Sequence, residues 1–233
     1  MARPGLREQL RWERTLSPPA ETRLVVFDLD GTLVDSSRDL ATAVNRTLAR
    51  IAPGAPELPE PRVRRFIGDG AAQLLVRSLE AAGVSARVED VLPVFLEYYR
   101  GCLLDTTRLY PGVEPALESL ADRQLAVLTN KPGEMSRTIL AGLGVAQRFA
   151  RIWGAGDVAA RKPDPGGLLK LMAELDAAPA ETVLVGDSAV DVLTGRAAGV
   201  RTIGVGYGLS PESLLEHPPD ARVDDLRGVR ALL

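Results

Sequence analysis

Two aspartates separated by a single residue follow a short apolar run near the start of the chain. The run covers residues 24–27, Asp28 and Asp30 come directly after it, and Gly31 follows them. An ionised carboxylate can attack phosphorus without activation, whereas a departing alkoxide needs a proton from a separate, positioned acid. A lone Asp-x-Asp is usually an acidic surface turn, but Asp-x-Asp-Gly-Thr behind four apolar residues is far more restrictive. The stretch therefore predicts a buried strand that opens into a catalytic loop.

Three later segments end in the polar residues that such a site requires. They supply a hydroxyl and an amide, a lysine in a proline-rigid turn, and two carboxylates four residues apart: Thr129 with Asn130, Lys162, and Asp187 with Asp191. Taken singly, a Thr-Asn pair is usually a helix cap, and Lys-Pro-x-Pro is usually a solvated turn. The sequence has only three lysines, however, and a compact ammonium is not interchangeable with arginine at a crowded site. Lys162 is therefore predicted to be a functional residue, and Lys131, beside Asn130, competes for the same role.

These residues need a scaffold that brings strand ends together, and the periodicity predicts one. After residue 108, helix and strand patterns alternate with short links, and strands are expected at 124–129, 150–153, 182–186 and 202–205. Such alternation is typical of an α/β fold with a doubly wound parallel sheet, in which ligands bind at the carboxyl ends of the strands. The fold prediction thus places the polar strand ends at one edge.

An all-helical block separates the first strand from this alternating region. Apolar stripes predict helices up to residue 51 and at 60–67, 71–82 and 87–104, and Ser36 with Asp39 resembles a capping box before the first of them. We therefore predict a core domain over 23–35 and 108–233 with an inserted helical cap over 36–107. Residues 1–22 carry four arginines and are expected to be a mobile or loosely docked extension, with an amphipathic partner-binding helix as the less favoured alternative.

The composition excludes several other classes of function. The net charge is -3 and the basic residues are scattered, so the sequence gives no indication of a nucleic-acid-binding surface. No apolar run approaches membrane-spanning length. Cys102 is the only cysteine, which excludes an intrachain disulfide and fits a reducing cytoplasm. His217 is the only histidine, and no Gly-x-Ser-x-Gly nucleophile elbow accompanies it, which argues against a Ser-His-Asp hydrolase. We expect a cytoplasmic enzyme that acts on a small phosphorylated metabolite as a monomer or homodimer.

In order and type, the four polar segments resemble the motifs of the haloacid dehalogenase-like (HAD) superfamily. The resemblance implies that Asp28 is the nucleophile and Asp30 the general acid and base, and an aspartate at the second position is typical of phosphatases and phosphomutases. It also implies a Rossmann-like core and a Mg²⁺ ion held by Asp28, the backbone carbonyl of Asp30, and Asp187. All-oxygen ligation with few protein carboxylates suits that ion.

The same resemblance assigns the remaining core residues. It implies that the substrate phosphate is bound by four of them: Leu29, Thr129, Asn130 and Lys162. Thr129 and Lys162 are also counted as catalytic. Asp191 would support the metal through water or orient Lys162.

Residues 62–74 resemble the specificity loop of phosphoglycolate phosphatases, a Gly-x-Gly turn between two cap helices. The resemblance implies that Gly68, Asp69 and Gly70 approach the substrate and that Arg64 or Arg65 receives its carboxylate. Three arginines on a helix are otherwise a solvated face, and Asp69 would oppose an anion. The expected activity is hydrolysis of 2-phosphoglycolate through an aspartyl-phosphate. The alternatives are a pyrophosphatase, a sugar or nucleoside phosphate phosphatase, a β-phosphoglucomutase-like mutase and, from another class, a receiver-like signalling module.

Overall fold

The computed structural model describes residues 21–233 of the chain. The strands are β1 (Leu24–Phe27), β2 (Val34–Asp35), β3 (Arg108–Leu109), β4 (Gln124–Pro132), β5 (Arg151–Ala155), β6 (Thr182–Gly186), β7 (Arg201–Val205) and β8 (Ala221–Val223). The α-helices are α1 (Ser37–Ile51), α2 (Glu60–Arg64), α3 (Ala71–Ala82), α4 (Val88–Arg100), α5 (Val113–Ser119), α6 (Gly133–Gly142), α7 (Gly166–Glu174) and α8 (Ala189–Ala198). Most of the predicted N-terminal extension, residues 1–20, lies outside the described part.

The central sheet has six strands, all parallel, in the order β5-β4-β1-β6-β7-β8. β1 lies between β4 and β6, and Phe27 pairs with Val127 on one side and with Val185 on the other. Both faces of β1 are covered, because Phe27 belongs to one buried apolar cluster and Val26 to the other. A strand buried on both faces needs apolar residues at every position, as β1 has. The predicted doubly wound parallel α/β sheet is confirmed.

Four helices, α1 to α4, lie between β2 and β3, and these two short strands pair with each other antiparallel. The chain therefore leaves the core and returns to it side by side. Asp39 links the two connections. Its carboxylate is buried and accepts hydrogen bonds from the backbone N–H and hydroxyl groups of Thr106 and Thr107, at 2.5 to 3.0 Å. The division into core and cap at residues 36 and 107 stays a prediction.

Several local expectations differ from the structure. Ser36 and Asp39 form no capping box, because the Ser36 hydroxyl donates to Asp30 and Asp39 binds the returning chain. The predicted helix over 87–104 ends at Arg100, and the predicted strand over 124–129 extends to Pro132, which pairs with β5 beyond an irregularity in the register. Within residues 21–233, no helix combines the length and apolar character needed to cross a lipid bilayer.

Candidate active site

Asp28 lies at the carboxyl end of β1, where the sheet presents its ligand-binding edge. Its backbone N–H donates to Val185 of β6, and its side chain is almost fully buried. Lys162 Nζ lies 2.9 Å from Asp28 Oδ1 and 2.6 Å from Asp191 Oδ1, and all three side chains are largely buried. Two motifs 134 residues apart in the chain thus meet through one ammonium group.

Asp187 follows β6 and faces the same edge. Its Oδ2 accepts backbone hydrogen bonds from Leu209 at 2.6 Å and Ser210 at 3.1 Å, which hold the carboxylate in place. Gly31 has φ +88° and no room for a side chain, since a Cβ there would collide with the Asp187 carboxylate. The turn after β1 therefore needs glycine both for its backbone conformation and for this close approach.

Three carboxylates gather at this edge of the sheet. Oxygen atoms of Asp28, Asp187 and Asp191 all lie within 4.8 Å of one another. Burial, then the Asp191 and Asp28 charges, raise the pKa of Asp187 to about 8. Burial, opposed by Lys162 and aided by Asp191, raises the pKa of Asp28 to about 6. Such a cluster ionises together only if a cation joins it, and an all-oxygen donor set fits Mg²⁺.

Asp191 also contacts Lys162. Its Oδ2 accepts hydrogen bonds from the backbone and hydroxyl of Ser188 at the start of α8, which leaves Oδ1 for the lysine. Burial lowers the pKa of Lys162, but the Asp191 and Asp28 carboxylates raise it more, so its pKa lies above the ordinary lysine value. The ammonium is therefore permanently charged between two carboxylates.

Asp30 lies beyond the strand end and is engaged by two side chains. Lys131 Nζ lies 3.0 Å from each carboxylate oxygen, and the Ser36 hydroxyl donates to Oδ1 at 2.5 Å. Lys131 thus contacts Asp30, whereas Lys162 contacts Asp28, so the two candidate lysines occupy different places. Leu29 is buried, and its carbonyl accepts the N–H groups of residues 32–34 to close the loop.

The strand end of β4 supplies Thr129 and Asn130, and both are buried. Thr129 Oγ1 accepts the backbone N–H of Lys131 and lines the cavity beside Asp28. Asn130 differs from the prediction: its amide donates to the carbonyls of Gly68 at 3.1 Å and Lys162 at 3.0 Å. With both hydrogens used, that amide has no N–H left for a phosphate in this conformation, and it ties the helical insert to the core.

The predicted specificity residues of the insert are only partly at the site. Gly68 and Gly70 line the cavity, but Asp69 pairs with Arg77 at 2.5 Å. Arg64 donates to the Gly208 carbonyl at 3.0 Å, and Arg65 is exposed to solvent. Neither arginine lines the cavity as the structure describes it. In this structure Arg64 faces a core loop and Arg65 faces solvent, so their placement against a substrate carboxylate stays a prediction.

A cavity of about 40 Å³ opens between the strand ends and the helical insert. Asp28, Asp30, Thr129 and Lys131 form its polar end, while α1, α3 and α4 contribute an apolar wall. Ser36 and Tyr99 were missed as neighbours of the site. The sequence carried only a weak signal for them, since Ser36 resembled a helix cap and Tyr99 a core position of α4.

The sheet edge with its buried carboxylates and lysine defines an enzyme of the α/β class that works at the ends of parallel strands. The chain belongs to the haloacid dehalogenase-like hydrolase family, whose model matches residues 25–205. It is 41% identical over 215 residues to the plasmid-encoded phosphoglycolate phosphatase of Cupriavidus necator, covering 90% of this chain and 92% of that protein. It is 36% identical over 221 residues to the phosphoglycolate phosphatase of Haemophilus influenzae KW20, covering 91% and 98%.

Solved structures agree with this assignment. The crystal structure of a predicted phosphoglycolate phosphatase from Haemophilus somnus matches with a TM-score of 0.85 at 30% identity, covering 91% of this chain and 98% of that one. Family and relatives together make the chain a phosphatase acting on a small phosphorylated substrate. The non-enzymatic signalling module considered from the sequence is therefore wrong. Oligomeric state and cytoplasmic location stay predictions.

Proposed function

We propose that this phosphatase hydrolyses 2-phosphoglycolate to glycolate and phosphate, with Mg²⁺ and through an aspartyl-phosphate on Asp28. The observation that carries the proposal is the buried Asp28 carboxylate at the end of β1, with Lys162 at 2.9 Å and the Asp187 and Asp191 carboxylates beside it. A carboxylate in such a place is held rigidly by the sheet and shielded from water.

In the first half-reaction, an oxygen of Asp28 attacks phosphorus and the ester oxygen of the substrate leaves. Lys162 offsets the charge that gathers on the Asp28 oxygen and the phosphoryl group, while Asp191 keeps the ammonium in place. The hydroxyl of Thr129, which lines the cavity next to Asp28, is the side-chain donor for a phosphoryl oxygen. Positioned charges of this kind lower the barrier because they need no reorganisation during the reaction.

Asp30 gives the departing glycolate oxygen a proton and later takes one from the water that hydrolyses the aspartyl-phosphate. Ser36 and Lys131 fix its carboxylate at the rim of the cavity. A positioned acid and base typically contributes about 10² to 10⁴ in rate. Mg²⁺, held by Asp28, Asp187 and the backbone carbonyl of Asp30, would neutralise the phosphoryl oxygens when bound.

The choice of substrate is supported by the relatives and by the cavity. The two relatives named above are phosphoglycolate phosphatases, and the chain covers more than nine-tenths of each. The cavity is narrow, and its wall on the insert side is mostly apolar, with Tyr99, among the described residues, as the only side chain there that could pair with a sugar hydroxyl. Pyrophosphate, sugar and nucleoside phosphates, and a mutase reaction, remain the alternatives to be tested.

A panel of phosphate esters assayed with Mg²⁺ tests the substrate. We expect the highest kcat/KM with 2-phosphoglycolate, and preference for a sugar phosphate or pyrophosphate would contradict the proposal. A single turnover in ¹⁸O-labelled water tests the nucleophile. Label is expected in the Asp28 carboxylate, and its absence there would mean that water attacks phosphorus directly. The Asp28→Asn variant should be inactive yet folded, because the amide has the same shape but cannot attack.

A further inference from the structure

A second buried lysine at the site holds Asp30 but has so far been given no role toward the substrate. The side chain of Lys131 is 4% exposed and its ammonium contacts both oxygens of Asp30. Lys162 already offsets the charge on Asp28, so phosphoryl transfer does not need a second ammonium. Among the described residues that line the cavity, Lys131 carries the only positive charge. Lys131 is therefore the one cationic side chain of this lining that could bind an anionic substrate group other than the phosphate.

The side chain of Tyr99 lies beside this lysine. The Lys131 ammonium lies 4.6 Å from the centre of the Tyr99 ring, and the ring stacks on Phe95. The hydroxyl oxygen is buried and has no hydrogen-bond partner within residues 21–233. Burial raises the pKa of Tyr99 to about 12, so the group remains a donor. Buried polar groups are nearly always paired, and the Tyr99 side chain lines the cavity, so a substrate group bound beside Lys131 would supply the missing partner.

The remaining wall on this side, among the described residues, offers no other side-chain donor. It is formed by the side chains of Leu40, Ile67, Leu74, Phe95 and Leu96. Substrates with several hydroxyl groups would leave those hydroxyls unpaired against it. A carboxylate, by contrast, needs strong donors at one end only. The chemistry of this end of the cavity matches a single compact anion.

We propose that Lys131 and Tyr99 together receive the second anionic group of the substrate, a carboxylate close to the phosphate ester. The inference rests on the proposed function and names the residues that select its substrate. Lys131 and Thr129 are two residues apart on β4, and both line the cavity. Phosphate bound at Thr129 would therefore place a short substrate's carboxylate within reach of Lys131.

This assignment replaces Arg64 and Arg65 as the predicted carboxylate receptors. Arg64 is bound to the Gly208 carbonyl and lies 3.6 Å from Asp35, and Arg65 points to solvent. Lys131 lies on β4 of the core, whereas Tyr99 lies on α4 of the helical insert. The proposed receptor is therefore shared between the two.

A matched pair of substrates tests the proposal: 2-phosphoglycolate and 2-hydroxyethyl phosphate, which has a neutral CH₂OH in place of the carboxylate. The quantity measured is the ratio of kcat/KM for the two esters, since Lys131 also contacts Asp30 and its loss slows both reactions. Lys131→Met should lower the ratio about 10- to 100-fold, because a hydrogen bond to a charged group is lost. Tyr99→Phe should lower it about 3- to 10-fold. Arg65→Ala, the matched control, should leave it unchanged.

The outcomes separate this inference from the proposed function. If wild type prefers 2-phosphoglycolate but both variants keep the wild-type ratio, the receptor is wrong and the proposed substrate stands. If wild type shows no preference for 2-phosphoglycolate, the proposed receptor and the proposed substrate are both wrong, while the assignment as a phosphatase stands. Circular dichroism checks that Lys131→Met is folded. Should it not fold, Tyr99→Phe decides alone, since it removes one oxygen without a change of charge.

Discussion

Replacing Asp187 by asparagine should remove a pH-dependent loss of stability from the metal-free protein. Burial together with the Asp191 and Asp28 charges raises the pKa of the folded Asp187 carboxyl from 3.8 to about 8. Between these values the folded protein holds a proton that the unfolded chain has released. Stability is therefore highest at low pH within this window and falls as the pH rises toward 8.

The magnitude follows from the same shift. Each carboxyl whose pKa is raised contributes about 1.4 kcal/mol per pH unit across its window. The pKa of Asp28 is about 6, so its contribution is lost by that pH and Asp187 dominates above it. The lysines of the site have pKa values above 10.5, and Asp35 and Asp157 have pKa values below 3.8, so all of them titrate outside the window. The expected loss between pH 6 and pH 8 is about 2 kcal/mol.

Chemical denaturation in EDTA at pH 6, 7 and 8 measures this loss. Wild type should become less stable at each step, and Asp187→Asn should not, because its amide does not titrate and its oxygen can still accept from Leu209 and Ser210. Asp90→Asn, an exposed position on α4, serves as the matched control and should keep the wild-type slope. With Mg²⁺ present the slope should vanish, since the ion replaces the protons. A metal-free wild type whose stability is flat, or a variant that keeps the slope, would refute the reasoning.

Three further predictions concern single side chains. Asp30→Asn should lower kcat about 10² to 10⁴-fold for an alkyl phosphate, whose leaving group needs a proton, and a near wild-type rate in steady-state kinetics would remove Asp30 from that role. Lys162→Arg should lose most activity because the ammonium is enclosed between two carboxylates, whereas the exposed Lys170→Arg should be silent, and equal activities would contradict the assignment. Asp39→Asn should lower the free energy of unfolding by roughly 3 kcal/mol in urea denaturation, since its amide would face the N–H donors of Thr106. An unchanged denaturation midpoint would show that the hydrogen bonds of Asp39 do not stabilise the two connections.

The scaffold and the acidic centre of the site could be predicted from local pattern. Val25 and Phe27 are apolar without polar alternation, which is typical of a strand buried on both faces, and the structure places them in that setting. The parallel order of strands then brings Asp28 and Asp187 to one edge, because parallel strands share the direction of their ends. That much depends only on periodicity and on the geometry of strands.

Local pattern could not predict which groups finally pair. Lys131 and Asp30 are 101 positions apart, and only the packing of β4 against β1 decides that this lysine meets Asp30 while Lys162 meets Asp28. Asn130 looked like a phosphate donor, but the approach of Gly68 uses its amide.

The sequence by itself determined the fold class, the order of the motifs and the residue types at the carboxyl ends of the strands, because these follow from hydrophobic periodicity and strand direction. The tertiary structure alone decided the partners of each charged group. It turned Arg64 toward a core carbonyl and brought Tyr99 from α4 to the side of Lys131. The physical reason is that burial and long-range pairing depend on how the helical insert packs on the sheet, and no spacing along the chain encodes that contact.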